Sequence, residues 1–149
     1  HTAFLGRKDP PVVTITNEDL AQARAEISAG TGKADFCILG CPHLTINQVG
    51  SIAKMLDGQQ LAGPLYIFTS TSTKELAQRM GYLDIIHKAG GEIVINSCVD
   101  QPCWSHLYGM SGVTESPKCA YYTKRWNMTF TVKSIPACIQ SVLKGEIVS

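Results

Sequence analysis

Three short stretches place nucleophilic or ligand-forming side chains where the chain should turn. Cys41 and His43 flank a proline, Cys98 closes the stretch Ile-Asn-Ser-Cys, and Ser116 lies two residues before Lys118. Thiolates bind soft metals and attack electrophiles, and a nearby lysine can activate a serine or bind a carboxylate. The residue types therefore indicate either a metal centre or a site of nucleophilic or proton-transfer chemistry.

Cys41 carries the strongest of these signals. Gly40 allows the backbone to come close to another group, and Pro42 stiffens the exit from the turn. A helical pattern comes next, so we expect the thiol just before a helix N-terminus, where the helix dipole lowers a thiol pKa. The alternative is a turn cysteine buried for packing, and the neighbouring His43 is a ligand, a substrate donor or a structural histidine.

Cys98 and Cys103 form a second cysteine pattern, spaced Cys-x4-Cys across a proline. This spacing differs from the Cys-x2-Cys of zinc ribbons, so the pair can equally be one thiol at a strand end and one in a loop. Iron–sulfur clusters take thiolates from distant loops, so Cys98 together with Cys41 makes an iron–sulfur site one of the options.

Strand-like and helix-like segments alternate along the chain. The predicted strands are 12–16, 34–40, 64–68, 92–98, 119–123 and 128–134, and the predicted helices are 17–30, 44–58, 69–80, 82–91 and 135–145. Helix signals include capping pairs Thr45/Gln48 and Ser72/Glu75, a stop at Gly30 and a break at Gly81. Residues 99–118 show no periodicity and predict a long loop. Such alternation, with near-continuous apolar strands, predicts a three-layer α/β/α fold with a mainly parallel sheet.

The predicted sheet gives these side chains a common location. In open parallel sheets, ligands bind beyond the carboxyl ends of the strands. Residues 41–43, 69–73 and 97–98 each come after a predicted strand, so we expect their thiols and hydroxyls at one edge. Residues 69–75 also offer hydroxyls and free amides for an anion, although a well-capped helix explains the same pattern.

Composition excludes several classes of protein. The chain has 149 residues, a net charge of +1 and 44% hydrophobic residues, with no basic cluster larger than a pair, so we expect no nucleic-acid partner. No apolar run reaches the ~20 residues that span a bilayer, so we expect no membrane partner. The six cysteines are expected to be free thiols in a reducing, cytoplasmic compartment, because Cys37, Cys119 and Cys138 lie in apolar segments.

The chain also resembles a known family. The stretches DFCILGCPHLTINQVGSIAKML, GGEIVINSC and TESPKCAYY, with an amphipathic C-terminal helix after them, resemble the C-terminal portion of the aconitase X catalytic subunit. That family typically shows Gly-Cys-Pro-His-Leu-Ser/Thr after one strand, Asp-Thr-Cys after a later one, and then Thr-Asn-Ser-x-Lys-x-Ala-His-Tyr. The likeness covers nearly the whole chain in order, and Gly-Cys-Pro-His is its most specific part.

The resemblance implies an iron-dependent hydro-lyase with an aconitase-domain-like fold, and family activities include dehydration of cis-3-hydroxy-L-proline and of mevalonate 5-phosphate. It implies that Cys41 and Cys98 bind an iron–sulfur cluster or iron, with a third ligand from elsewhere in the subunit or from Cys103. Ser116 becomes the candidate base and Lys118 the substrate-carboxylate contact, and His43 joins them as a candidate catalytic residue.

The resemblance also bears on domain organisation, because family catalytic subunits are far longer than this chain. We expect residues 1–149 to form a single α/β domain of such a subunit. The remainder of the subunit and a small swivelling domain or subunit would be its partners, and the domain alone would be inactive.

The chain departs from the family pattern at three places. Asn96-Ser97 stands before Cys98 where the family has Asp-Thr, Glu115 replaces an asparagine, and Tyr121 replaces a histidine. These departures leave the substrate open and keep a second hypothesis in view: a diverged, non-catalytic domain that binds a small anion or serves assembly. A third hypothesis is thiol catalysis by Cys41 with His43.

Overall fold

The computed structural model describes residues 5–6, 11–28 and 32–148. Within them lie five strands, β1 Phe36–Leu44, β2 Leu65–Thr69, β3 Gly91–Val94, β4 Ser111–Thr114 and β5 Thr129–Val132. The helices are α1 Asn17–Ile27, α2 Ile46–Leu56, α3 Thr71–Arg79, α4 Tyr82–Ala89, α5 Pro117–Tyr122 and α6 Ile135–Lys144, with 3₁₀-helices at Pro102–Leu107 and Thr123–Trp126. The helix stop expected at Gly30 lies outside the described residues.

The strands form one parallel sheet in the order β3-β2-β1-β4-β5. From the central strand β1 the chain moves outward through β2 to β3, and it then returns to the other side of β1 for β4 and β5. The strand order therefore reverses between β1 and β4: the chain leaves β1 towards β2 on one side and leaves β4 towards β5 on the other. In doubly wound sheets this reversal point is where ligands bind.

Alternating side chains of β1 build the two layers that cover the sheet. Cys37 and Leu39 pack into a core beneath α2, α4 and α6. Phe36 and Ile38 point to the other face and pack with residues of α5 and the Pro102–Leu107 helix. The predicted three-layer α/β/α fold with a parallel sheet is confirmed.

Several local signals in the sequence are confirmed by the caps. Thr45 caps α2 in a reciprocal pair with Gln48, and the backbone at Gly81 (φ +76°) separates α3 from α4. The predicted Ser72/Glu75 pair is wrong. Ser70 caps α3 instead, because it is the first residue released by β2 and its hydroxyl meets the Thr73 amide at 3.2 Å.

Residues 12–16 do not form the predicted strand. The segment is irregular and its apolar side chains are exposed, with Val12 at 88% and Val13 at 82%. The β-branched residues there predicted a strand by propensity, but propensity expresses how well a residue fits a paired, half-buried surface. This segment pairs with none of the five strands.

The region 99–123 also differs from the prediction. The expected loop contains a 3₁₀-helix and the interior strand β4, and the expected strand 119–123 is the helix α5 with Ser116 as its N-cap. β4 was missed because it is four residues long and contains Gly112. A Cβ on Gly112 would lie 2.6 Å from the Phe36 ring, so the glycine makes room for that ring.

No helix in the described ranges is both long enough and apolar enough to cross a lipid bilayer.

Candidate metal and substrate site

The end of β1 is shaped by a glycine that no other residue can replace without movement. Gly40 has φ +105°, and a Cβ there would lie 2.2 Å from the carbonyl oxygen of Phe68. The β1–β2 register shifts between Leu39 and Leu44, which places the residues between them out of regular pairing. Cys41 therefore leaves the sheet in a bulge beside β2 rather than in a free loop.

The turn after β4 holds this bulge from the other side. Glu115 Oε1 accepts a hydrogen bond from the Gly40 amide at 2.7 Å, and the Ser116 hydroxyl donates to the carbonyl oxygen of Cys41. The Ser116 oxygen also accepts from the Cys119 amide at 3.0 Å, which caps α5. The two turns at the reversal point are thus directly bonded to each other.

Cys98 lies in the segment after β3. Its carbonyl accepts a hydrogen bond from the Trp104 indole at 3.0 Å, and the Asp100 amide lies 3.5 Å from its sulfur. The thiol is exposed. The Trp104 ring packs edge-on against Phe68 and Tyr66, so the indole ties the Cys98 backbone to the buried aromatic face of the sheet.

Two grooves join these elements, and Cys41, Cys98 and Lys118 line both of them. The groove of about 150 Å³ continues towards His43 and Ser97. The groove of about 240 Å³ continues towards Asp100 and Tyr122, and Cys119 forms part of its wall. The structure therefore brings the two candidate thiols and the candidate lysine to one rim of the sheet.

A third groove, of about 520 Å³, lies further out on the same rim. His43, Cys98 and Cys103 line it together with Asn96, Ser97, Gln101 and Pro102. Cys103 shares this outer groove with Cys98 but lines neither groove that reaches Cys41. Of the two thiols in the Cys-x4-Cys pattern, Cys98 is the one placed beside Cys41.

The electrostatics of Cys41 correct the expectation of a thiol activated by a helix dipole. Partial burial raises the pKa of Cys41, while the Ser116 hydroxyl and the Lys118 charge lower it. The dipole is not the controlling influence because α2 begins only at Ile46, after the N-cap Thr45, and so lies several residues beyond Cys41. Lys118 is the only cation that acts on this thiol among the interactions resolved for it.

Lys118 is an exposed cation without an acidic partner in the described part of the chain, where the ion pairs join Lys33 to Asp35 and Arg125 to Asp100. Asp100 also lines the groove of about 240 Å³. Its carboxylate is already engaged, because it accepts two hydrogen bonds from Arg125, at 2.8 and 3.0 Å, and a third from Trp126. The Lys118 ammonium is therefore available to an anion in either groove.

Glu115 is the site residue that sequence reasoning treated only as a departure. Burial raises the pKa of its carboxyl group, and hydrogen bonds from backbone amides, Gly40 first, partly offset that rise. The sequence offers one indication of this role, because Glu115 comes directly after Val113-Thr114, a β-branched pair typical of a strand end. Its meaning depended on identifying β4, which the loop prediction concealed.

The remaining predicted residues lie in different surroundings. Ser116 is 3% exposed and lines none of the three grooves. The hydroxyls at the start of α3 are engaged locally, since Ser70 bonds Ser72 and Thr73 at 3.0 Å and Thr71 contacts Asn96 at 3.4 Å. The predicted anion site there has its best donors already used.

The thiol inventory separates buried from accessible cysteines. Cys37, Cys119 and Cys138 are free and at most 1% exposed, as expected of thiols that pack like small hydrophobes. Burial raises the pKa of both Cys37 and Cys119 far above the ordinary value. These three thiols are therefore part of the packed interior, whereas Cys41, Cys98 and Cys103 are accessible.

The donor set on the rim fits a thiolate-bound metal in part. Two thiols of soft character are what an iron–sulfur cluster prefers. Across residues 5–6, 11–28 and 32–148, however, no three His, Cys, Asp or Glu side chains come close enough together to hold a metal ion. Cys41 and Cys98 are the two accessible thiols that share both inner grooves, and a metal held there would need further ligands besides them.

Comparison with known proteins gives a consistent result. A family model described as the aconitase X third domain matches residues 34–144. The large subunit of phosphomevalonate dehydratase from Methanothermobacter thermautotrophicus is 36% identical over 111 residues, which cover 74% of this chain and 28% of that protein. The corresponding subunit from Methanocaldococcus jannaschii is 31% identical over 134 residues, covering 90% of this chain and 32% of that protein.

A solved structure agrees with these sequence matches. The crystal structure of Thermococcus kodakaraensis aconitase X in its holo-form superposes with a TM-score of 0.76 at 29% identity, covering 87% of this chain and 34% of that one. The chain therefore spans about a third of the length of the relatives it matches.

Proposed function

The chain belongs to the aconitase X family, and from that premise we propose that it supplies part of the iron-binding and substrate-binding rim of a dehydratase acting on a small hydroxy acid. The observation that supports this most directly is that Cys41, Cys98 and Lys118 line the same two grooves at the reversal point of the sheet. Metal-assisted removal of a hydroxyl from a hydroxy acid requires ligands for the metal and a cation for the substrate carboxylate. The two thiols and the lysine would supply groups of both kinds.

In this proposal Cys41 and Cys98 hold an iron–sulfur cluster or iron, and a third ligand comes from the remainder of the catalytic subunit. Iron bound there would act as a Lewis acid on the departing hydroxyl, offsetting several kcal/mol of developing charge. Hydrogen bonds hold the backbone beside both thiols: Glu115 accepts from the Gly40 amide, Ser116 donates to the Cys41 carbonyl and Trp104 donates to the Cys98 carbonyl.

Lys118 would bind the substrate carboxylate. Its ammonium is exposed in both grooves and faces no acidic partner among the described residues. When the proton next to the carboxylate is removed, negative charge spreads onto the carboxylate oxygens. A fixed cation there stabilises that charge more than it stabilises the ground state, which is the condition for acceleration.

Ser116 and His43 would supply the remaining proton-transfer and hydrogen-bonding groups. Ser116 is the candidate base: its hydroxyl, bonded to the Cys41 carbonyl, would have to turn towards the substrate and release its own proton to solvent before the resulting alkoxide could take the substrate proton. General base catalysis of this kind contributes typically ~10²–10⁴-fold. His43 is exposed at the junction of the inner and outer grooves, where it would donate a hydrogen bond to the distal end of the substrate.

The working protein in this proposal is larger than this chain. The curated relatives are named large subunits, and the chain spans 28% to 33% of their length. We propose that the rest of the catalytic subunit and a small swivelling domain or subunit complete the site, in the cytoplasm. Mevalonate 5-phosphate and cis-3-hydroxy-L-proline are the two substrates to test.

The decisive experiment is anaerobic reconstitution of the complete dehydratase with iron and sulfide. Charge-transfer absorbance, bound iron and dehydration of the two substrates are measured for wild type, Cys41→Ser and Cys98→Ser. Cys138→Ala serves as the matched control because that buried thiol lies on the opposite side of the sheet from α5. We expect both serine variants to lose absorbance and turnover and the control to retain them.

Retention of iron and absorbance in Cys41→Ser would refute ligation by this thiol. Lys118→Met tests the second half of the proposal, because it removes the charge but keeps most of the length of the side chain. We expect it to raise KM and lower kcat while leaving bound iron unchanged. An unaltered kcat/KM would exclude Lys118 as the carboxylate contact.

A further inference from the structure

The bulge that carries Cys41 is bonded at two adjacent residues by two consecutive residues of one distant turn. The Gly40 amide donates to Glu115 Oε1 at 2.7 Å, and the Cys41 carbonyl accepts from the Ser116 hydroxyl. These bonds from Glu115 and Ser116 to Gly40 and Cys41 form a clamp. We propose that Glu115 is a positioning residue that, through this clamp, fixes the Cys41 thiol on the rim, opposite Cys98 and beside Lys118.

The shape of the bulge explains why it needs the clamp. Regular pairing of β1 with β2 is interrupted between Leu39 and Leu44, so the ladder bonds that normally hold a strand are missing there. Backbone amides that leave a ladder need other acceptors. The Glu115 carboxylate accepts a hydrogen bond from the Gly40 amide at 2.7 Å, and so replaces the missing ladder partner of that amide.

The length of the side chain matters as much as its oxygen. Glu115 comes directly after the last residue of β4 and must reach across to the end of β1, and the 2.7 Å bond shows that a glutamate spans this gap. An aspartate is shorter by one carbon–carbon bond, about 1.5 Å, which is too far for a hydrogen bond without backbone movement. A glutamine has the same reach and keeps an acceptor oxygen but carries no charge.

The consequence for the site arises from the position of Cys41 between two grooves. Its thiol shares both with Cys98 and Lys118, so a shift of the bulge changes the separation of the two sulfurs and their relation to the lysine. The significance of this for iron rests on the proposed function. The clamp itself rests only on its hydrogen bonds.

Three variants separate the reach of Glu115 from its charge. Glu115→Gln keeps the reach and removes the charge, Glu115→Asp keeps the charge and removes the reach, and Glu115→Ala removes both. Glu75→Asp on the exposed surface of α3 is the matched control, because it shortens a glutamate by the same amount away from the site. The conservative Gln and Asp substitutions keep the test informative should the alanine variant fold poorly.

The first readout is the rate of alkylation by iodoacetamide at Cys41 relative to Cys98 in the same molecules, measured by mass spectrometry over a pH series so that the rates of the two thiolates are compared, because the Glu115 charge itself raises the Cys41 pKa. Cys98 is the internal reference because it is exposed and its backbone is bonded to Trp104 rather than to Glu115 or Ser116. We expect Glu115→Asp and Glu115→Ala to raise the ratio by ~5-fold or more, as the loss of one hydrogen bond to the Gly40 amide predicts. Glu115→Gln and Glu75→Asp should remain within about twofold of wild type.

The second readout is hydrogen exchange at the Gly40 amide, which the same two disruptive variants should accelerate and Glu115→Gln should not. An unchanged alkylation ratio in Glu115→Asp would overturn the proposal, as would equal behaviour of Glu115→Gln and Glu115→Ala. A parallel rise at Cys41 and Cys98 would likewise overturn it, because it would indicate general destabilisation.

Bound iron after reconstitution is the third readout, and it links the clamp to the proposed function. We expect iron to fall in Glu115→Asp and to be restored in Glu115→Gln. If wild type binds no iron, the proposed function fails while the alkylation and exchange results still decide the clamp. If iron is equal in all variants although the alkylation ratio changes, the clamp does not serve the metal.

Discussion

Replacing Gly40 with alanine should be among the most damaging single-methyl changes in this fold. The added Cβ would lie 2.2 Å from the Phe68 carbonyl oxygen and 2.9 Å from its carbonyl carbon, and both atoms belong to the backbone of an interior strand. Rotation of a side chain cannot relieve such a contact. The ends of β1 and β2 must therefore separate.

Two contributions set the size of the effect. A non-glycine residue at φ +105° costs ~1–3 kcal/mol in backbone strain. Separation of the strands also breaks the bond between the Gly40 amide and the Glu115 carboxylate, and bonds of this charged type contribute ~1.5–3 kcal/mol. Together these predict a loss of about 2.5–6 kcal/mol in the free energy of unfolding, a large fraction of the stability of an ordinary domain.

Gly58→Ala is the matched control for this measurement. Gly58 also has a positive φ, +70°, but a Cβ there would meet nothing within 4 Å, so only the conformational cost of ~1–2 kcal/mol applies. Urea denaturation monitored by circular dichroism gives both free energies and the m-value. A loss for Gly40→Ala within about 1 kcal/mol of that for Gly58→Ala would refute close backbone approach as the cause.

Three further variants test neighbouring parts of the same site. Burial raises the folded-state pKa of Glu115 above its ordinary value of 4.5. The contribution of this residue to stability is therefore greatest below pH 4.5 and is lost as pH rises through the folded-state pKa. Urea titrations at several pH values should show that Glu115→Gln gains stability relative to wild type as pH rises. Tyr122→Phe should raise KM for the hydroxy acid by ~3–10-fold, because the Tyr122 side chain lines the groove of about 240 Å³. Tyr121 lines none of the three grooves, so Tyr121→Phe should leave KM unchanged. Equal effects of the two variants would exclude a role for the groove of about 240 Å³ in substrate binding. Trp104→Phe removes the indole bond to the Cys98 carbonyl and should cost ~1 kcal/mol on denaturation while speeding alkylation of Cys98, and an unchanged alkylation rate would show that the bond does not hold this segment.

The fold was largely predictable because its strongest elements obey local rules. The apolar run at β1 predicts a strand covered on both faces, the run at β2 predicts a strand, and residues 36–40 and most of β2 are buried. Thr45 with Gln48 and Ser134 with Pro136 mark helix starts through the chemistry of the first turn. Signals of this kind do not depend on what lies elsewhere in the fold.

The errors arose where structure depends on a distant partner. β4 has a glycine in the middle of four residues and is a strand only because β1 and β5 lie on either side of it. Residues 12–16 have the opposite character, since β-branched side chains are present but none of the five strands lies beside them. In both cases pairing with a neighbouring strand determines whether the segment is a strand. Pairing between residues far apart in the sequence is not encoded in a local pattern.

The site shows the same division. The thiols and Lys118 were identifiable by residue type, and their convergence came from the rule that parallel strands end at one edge. The role of Glu115 was not accessible, because it requires that residues 40 and 115 be neighbours across the reversal point. The pKa of Cys41 was expected to fall and instead rises, since burial was invisible in the sequence and outweighs the nearby cation.

The bonds that secure the Cys41 turn join residues 75 positions apart. During synthesis Cys41 and Cys98 both emerge before Glu115 and Ser116, so an unfinished chain contains the two proposed ligands without the turn that holds one of them. We expect iron delivered at that stage to find a loose, exchangeable thiol pair, and stable loading to begin only once β4 has inserted beside β1. Maturation of the site would then be timed by completion of the sheet rather than by the appearance of its cysteines.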